Sequence, residues 1–292
     1  MHHHHSPDSG KNIALAFWLN VGFTAVEIAG AVLTNSLAIF ADAIHDLGDS
    51  LTLGFSYYLE RVAARKRDSV FSYGYRRFSL LAALISSSIL IAGSMIVLSR
   101  AVPRLFDPQP VSAHGMMLLA VLGIVVNGMA ALRLRRGRTL NESVVSWHLL
   151  EDVFGWVAIL VTGIVLRFVD WPILDPLVSI AFTLFILRQV AIQFKRIWMI
   201  FLQSTPSDLD PDKITARLAQ NKDVLGIHDL HLWSLDGAYH VLTVHVVVDN
   251  SLERRQIVEL KQRIVAQMRQ LGVAHSTLEI ELAGESCDLE DC

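Results

Sequence analysis

Residues Asn35–Ser50 read NSLAIFADAIHDLGDS, an apolar run broken by Asp42, His45, Asp46 and Asp49. On a helix, His45 and Asp49 lie one turn apart on the same face, an imidazole and a carboxylate aimed in one direction. The same pair recurs as His148 and Asp152 in SVVSWHLLEDVFGW, residues Ser143–Trp156. Two such pairs facing each other present two nitrogens and two oxygens, a tetrahedral set suited to zinc. Each carboxylate held in hydrocarbon costs roughly 2.5–3.5 kcal/mol on insertion scales, so the four groups point to a use, the carriage of a metal ion. Asp42 joins His45 and Asp49 in one stripe at i, i+3 and i+7, whereas Asp46 is read as turned about a quarter-turn away.

The rest of the chain reads as a membrane protein. Of its 292 residues, 52% are hydrophobic and 18% charged, more apolar than an ordinary soluble domain. The net charge of −3 gives no basic field for nucleic acid. Six spans of about 20 apolar residues are expected, near Ile13–Thr34, Leu37–Tyr58, Leu80–Ala101, Ala113–Leu134, Val144–Val165 and Ile173–Phe194. None has the features of a cleaved signal peptide. Arg61, Arg65, Lys66, Arg67, Arg76 and Arg77 follow the second span, Arg133, Arg135, Arg136 and Arg138 the fourth, and Lys195 and Arg196 the sixth. The opposite loops hold only Arg100, Arg104 and Arg167, so both termini are expected in the cytosol. Asn20 and Glu27 of the first span, Asp42, Asn127 and Asp175 read first as structural residues that hydrogen-bond a neighbouring helix, the commoner role of intramembrane asparagine. The alternative for each is support of the metal ligands from behind.

After a break at Gln203–Asp208 the chain turns polar. Asp210-Pro211 opens a helix, two β-branched runs flank Asp236-Gly237, a helical stretch covers Arg255–Leu271, and STLEIEL alternates as a final strand. The expected fold is six transmembrane helices followed by a cytosolic ferredoxin-like α+β domain of order αββαβ. The expected boundaries are residues 1–11, an N-terminal His-containing segment; 12–204, the transmembrane domain; 205–283, the ferredoxin-like metal-binding and dimerisation domain; and 284–292, a Cys-containing tail. A two-residue turn at Asp236-Gly237 pairs Leu235 with Ala238 and so sets His228 opposite His245, with Cβ atoms about 5 Å apart. Glu281 on the last strand, or Glu279 on the same face, would add an oxygen. His231 and His240 read as structural or surface residues.

The sequence resembles the cation diffusion facilitator family, in its zinc-transporting branch. The resemblance spans nearly the whole chain: NSLAIFADAIHDLGDS, SYGYRRFSLLAAL, HLLEDVFGW, DPLVSI and HDLHLWSL. It implies a homodimeric antiporter exporting divalent metal against protons, with His45, Asp49, His148 and Asp152 as the transport site. Family members thought to carry manganese or iron tend to have Asp at the first His, so His45 favours zinc over cobalt, cadmium or nickel. Zinc is expected both as substrate and as a structural or regulatory ion. In the soluble domain the resemblance implies His228, His245 and Glu281 as ligands, with thiolates from Cys287 and Cys292. His2–His5 are either a tag or a native metal-capturing segment. Where some relatives carry a loop site of one aspartate and two histidines, this chain has Asp68, Phe71 and Tyr75, and no such site is expected. Arg77 and Asp208 are the candidates for a basic–acidic interlock.

Metal binding needs deprotonated ligands, so metal and protons compete at one site, and histidine titrates in the relevant window. Expected partners are thus a second copy of the chain, divalent metal ions, protons and membrane lipid, with no nucleic acid. The expected location is a multi-pass position in a bacterial inner membrane. An intramembrane metalloenzyme would need a motif such as H-E-x-x-H, which the chain lacks. A passive metal-gated channel or sensor is the other alternative, against which a fully coordinated site argues because tight binding slows release.

Overall fold

The computed structural model describes residues 7–135 and 140–287, with the side chains of 7–16, 56, 57, 134, 140–145 and 148 outside the description. Six long helices come first: α1 (Pro7–Thr34), α2 (Leu37–Ala63), α3 (Arg77–Phe106), α4 (Ala113–Arg135), α5 (Leu140–Phe168) and α6 (Leu174–Phe201). At 1.5 Å per residue their 23–30 residues reach roughly 35–45 Å, enough to cross a bilayer. Among the described residues, α1, α3, α4, α5 and α6 are apolar enough to span by composition alone. The exception, α2, has the same length but carries Asp42, Asp46 and Asp49 in its first half.

The chain divides into two compact units. One comprises Met1–Leu59 with Ala82–Phe194; the other joins the α2–α3 segment Glu60–Leu81 to Lys195–Cys292. In the first, Phe23, Ala38, Ile39, Met116, Ala120 and Trp156 form a buried apolar cluster. The turn between α1 and α2 is only Asn35 and Ser36, with Asn35 at φ 57°, a backbone region that asparagine tolerates. Arg104 of α3 clamps it, donating to the Asn35 carbonyl at 2.8 Å and to its Oδ1 at 2.6 Å. The first turn of α2 is then satisfied from α6. Asp175 accepts from Ser36 Oγ at 2.6 Å, from the Leu37 N–H at 2.7 Å and from the Ala38 N–H at 3.2 Å. Such orphan donors have no water to turn to within a bundle, so a buried carboxylate there is an N-cap supplied from another helix.

In the second unit, α7 (Pro211–Ala219) begins with Asp210 accepting from the Asp212 N–H and with proline in its first turn. Next come β1 (Val224–Ser234), β2 (His240–Val248), α8 (Arg254–Gln270) and β3 (Val273–Leu282). The sheet order is β1-β2-β3, with β2 antiparallel to β1 and parallel to β3. This is the expected αββαβ order. The central strand β2 is buried at most positions, as a strand with two neighbours and helices on one face should be. Ile214 and Leu218 of α7 and Leu260, Ile264 and Met268 of α8 fill the core, each side chain contributing about 1.5–3 kcal/mol on full burial.

The β1–β2 hairpin differs from the expected two-residue turn. Ser234 pairs with His240 and the loop has five residues, because the Asp236 side chain accepts from the N–H groups of Ala238 and Tyr239 and folds an Asx turn instead. That offsets the register by one residue. A bulge between His228 and His231, with Asp229 at φ 46°, removes the offset again, so that His228 still pairs with His245.

The α2–α3 segment is held by Asp68. Its carboxylate accepts from Tyr75 Oη at 2.7 Å and from the N–H groups of Val70 and Phe71 at 2.9 Å. Phe71, Tyr75 and Phe78 pack ring against ring, with centroids 4.5–5.7 Å apart. The Tyr75 hydroxyl, with the two N–H groups, holds the Asp68 carboxyl below the usual range.

Two outcomes follow from these contacts. Asp175→Ala should destabilise the purified protein by about 1–2 kcal/mol, the cost of losing a helix cap, read as a lowered thermal midpoint in detergent. Because its folded-state pKa is depressed, Asp68 supports its loop above the ordinary carboxylate pKa of about 4 and loses that contribution only as pH falls through the lowered value. Hydrogen exchange should therefore find the Val70 and Phe71 amides protected down to about pH 4, and unprotected at every pH in Asp68→Ala.

Candidate metal centres

Helix α2 sets the ligands of the first centre. His45 Nε2 lies 3.5 Å from Asp49 Oδ2, each side chain 19% exposed, as the four-residue spacing requires. On α5, Asp152 is 3% exposed. His148 stands one turn before it on the same helix, and its side chain lies outside the described residues. The α2 stripe faces α5: a Cβ added to Gly155, three residues after Asp152, would come within 3.4 Å of Asp42 Oδ1. That is ordinary van der Waals distance, so the two helices are in contact at this point. Asp42 interacts electrostatically with Asp46, Asp152 and Asp49. The ring of Phe182 packs edge-on to His45, centroids 6.0 Å apart.

Two residues are more deeply involved than expected. Asp46 is 1% exposed and so faces the interior, not a quarter-turn away from it. Glu27 of α1 is fully buried and interacts with Asp46, Asp42 and Asp152. The signal for Asp46 was present in its i+4 spacing from Asp42. Of the supporting residues, Asn20 donates to Ser50 Oγ at 3.2 Å and ties α1 to α2, and Asn127 is buried. Asp175 takes the structural role, a hydrogen bond to a neighbouring helix backbone, and not the support of the metal site. Its carboxylate caps α2 at Leu37, eight residues and roughly 12 Å along the helix from His45.

The second centre lies on the sheet. His228 Nε2 is 3.2 Å from Glu281 Oε2, His245 Nδ1 is 2.6 Å from Glu281 Oε1, and Cys287 Sγ is 3.6 Å from His245 Nδ1. One ligand atom from each of His228, His245, Glu281 and Cys287 falls within 4.8 Å of the others. A tetrahedron with metal bonds of about 2.0–2.3 Å has edges of roughly 3.3–3.8 Å, so a small contraction would close this set on zinc. Two imidazoles, a carboxylate and a thiol are all ligand types that zinc accepts. Partial desolvation would raise the pKa of Glu281, but the hydrogen bonds from His245 and Cys287 and the charges of the two histidines outweigh it and leave the carboxyl lowered, ready as an anionic ligand. Glu279 pairs with His245 in the ladder and reaches Nε2 at 3.5 Å, but its side chain is 67% exposed against 9% for Glu281.

Asp229, not anticipated from the sequence, bridges two histidines, with Oδ1 2.8 Å from His231 Nε2 and Oδ2 3.4 Å from His245 Nε2. His240 is buried 3.2 Å from Asp208 Oδ2. Cys292 and His2–His5 lie outside the described residues. Among the described residues no ion pair joins Arg77 to Asp208, whose carboxylate lies 3.2 Å from His240. Arg76, the residue before α3, reaches the hairpin loop instead, bonding Asp236 at 3.2 Å and stacking 4.4 Å from the Tyr239 ring.

The sequence profile of the cation efflux transmembrane domain matches residues 13–191, and that of the cation efflux protein cytoplasmic domain matches residues 206–282. The chain is 30% identical over 293 residues to the cadmium, cobalt and zinc/H(+)-K(+) antiporter of Bacillus subtilis (strain 168), covering 99% of this chain and 94% of that one. It is 30% identical over 285 residues to the metal cation efflux system protein CzcD of Cupriavidus metallidurans, 96% of this chain and 89% of that one. It is 29% identical over 297 residues to the zinc transporter ZitB of Pectobacterium atrosepticum, 100% of this chain and 91% of that one. Two matched domains along nearly the full length, on a bundle of apolar helices followed by a small mixed sheet, make this chain a member of the cation diffusion facilitator family, in its zinc-transporting branch: a multi-pass membrane protein of metal cation efflux, not an enzyme.

Proposed function

We propose that the protein exports zinc, or a zinc-like divalent cation, from the cytoplasm in exchange for protons, by alternating access at His45, Asp49, His148 and Asp152. The observation that carries this reading is the joined His45–Asp49 pair on a helix whose buried carboxylates interact with Asp152 on α5. Two carboxylates and two neutral imidazoles balance a +2 ion, so loading buries no net charge. Protons compete for the same atoms, so a site that loads at cytosolic pH and opens to a more acidic side exchanges metal for protons. Cadmium and cobalt, which the names of relatives include, fit the same nitrogen and oxygen donors.

The protein acts as a homodimer in the plasma membrane with both termini in the cytosol. The cation-rich loops support the orientation, and the family matched by residues 206–282, named for its dimer, supports the assembly. His228, His245, Glu281 and Cys287 hold a resident zinc ion that stiffens the cytoplasmic domain, with Cys292 of the tail as a further thiolate. Ligation there joins β1, β2 and β3 to the segment after β3 through one ion.

Zinc flux into proteoliposomes should follow an imposed pH gradient and fall more than about 100-fold in Asp49→Ala and in Asp152→Ala, since losing a ligand costs more than losing the 10–100-fold support of an outer-shell partner. Flux indifferent to the gradient in wild type would overturn the antiport reading, and full flux in both variants would overturn the site. For the cytoplasmic ion, zinc titration should be run in the Asp49→Ala/Asp152→Ala background. Asp229→Val should bind at least about fivefold more weakly there than Asp229→Gly, because a β-branched residue at φ 46° costs about 1–3 kcal/mol and disturbs the bulge that aligns His228.

A further inference from the structure

The segment between α2 and α3 carries a feature that metal transport does not use. Within the unit that contains it, Arg65, Lys66, Arg67, Arg76, Tyr73 and His275 line one cavity of about 680 Å³. None of the described residues that line it is a carboxylate. Arg76 is fixed by Asp236 and by the Tyr239 ring. Arg65, Lys66 and Arg67 make no ion pair among the described residues, and Asp68, their acidic neighbour, is already occupied by Tyr75 and two backbone N–H groups.

The charged side chains are exposed, and the backbone that carries them is shaped by two local contacts. Tyr73 packs edge-on to His275 of β3, ring centroids 5.7 Å apart, which anchors the segment to the sheet. Gly74, at φ 79°, turns the chain so tightly that a Cβ there would meet the Arg65 carbonyl oxygen at 3.3 Å and the Arg67 nitrogen at 3.4 Å. Several cations held around one cavity repel one another unless an anion sits among them. Arginine forks and a lysine ammonium match phosphate oxygens, and aromatic edges complete such a pocket.

We propose that this cavity is a binding site for a phosphate-bearing anion, the phosphodiester of an anionic lipid headgroup or a soluble phosphate. Arg65 lies two residues past the end of α2. If this loop faces the cytosol as proposed above, its cations stand at headgroup level, where each contributes about fivefold to the binding of anionic lipid. The phosphate chemistry itself does not depend on that orientation, nor on the transport site.

The test uses the full chain in detergent and reads the shift in thermal midpoint against dioctanoyl phosphatidylglycerol, dioctanoyl phosphatidylcholine and inorganic phosphate. Three proteins are compared: wild type, Lys66→Ser/Arg67→Ser, and a control that removes the same charge from α8, Arg254→Ser/Lys261→Ser. The expected result is a shift with phosphatidylglycerol but not phosphatidylcholine, weakened roughly 30-fold in the pocket variant and unchanged in the control. A shift with inorganic phosphate that follows the same variants supports the site with a soluble anion as its ligand. No shift in wild type with either anion, or equal weakening in the pocket variant and the control, overturns the proposal.

Discussion

Carboxylates that must stay out of hydrocarbon organise the helical bundle. On α2, Asp42, Asp46 and Asp49 share a side with His45, and a helix so charged is stable in a membrane only with that side covered. The covering is visible residue by residue. Gly155 of α5 lies against Asp42, Asn20 of α1 bonds Ser50, and Glu27 and Asp152 are drawn into the same buried network. A collection of buried acids is costly unless neutralised, by protons or by a cation. A network of acids that protons and a cation can both neutralise suits a carrier better than a structural centre.

The N-terminal end of α2 is subject to the same constraint. A helix that starts inside a bundle has donors that neither water nor its own turn can satisfy. Asp175 supplies acceptors from α6, and Arg104 of α3 holds the two-residue turn just before it. The placement of α2, and so of His45 and Asp49, therefore depends on contacts made roughly 12 Å away along the helix.

In the cytoplasmic domain the counterpart is a local irregularity. The hairpin loop is longer than the sequence suggests, and the bulge at Asp229 compensates by one residue. Without that compensation His228 would point to the other face of the sheet, because strand side chains alternate. Asp229 both takes up the left-handed backbone conformation and contacts His231 and His245, so one residue sets the register and adjoins the candidate ligand His245.

Periodic signals in the sequence were sufficient for much of this. Twenty-residue apolar runs determine six helices, the four-residue spacing determines that His45 and Asp49 share a face, and the cap and turn residues after Asp210 determine the αββαβ order. Each depends only on repeats of the backbone, 3.6 residues in a helix and 2 in a strand. What only the tertiary structure decided was which partner answers each polar group. Asp175 went to the α2 cap and not to the metal, Arg76 bonds Asp236 while Asp208 lies beside His240, and Asp46 and Glu27 turned inward. Those choices depend on which atoms of distant segments come within about 3 Å of one another, a matter of packing that no local period encodes.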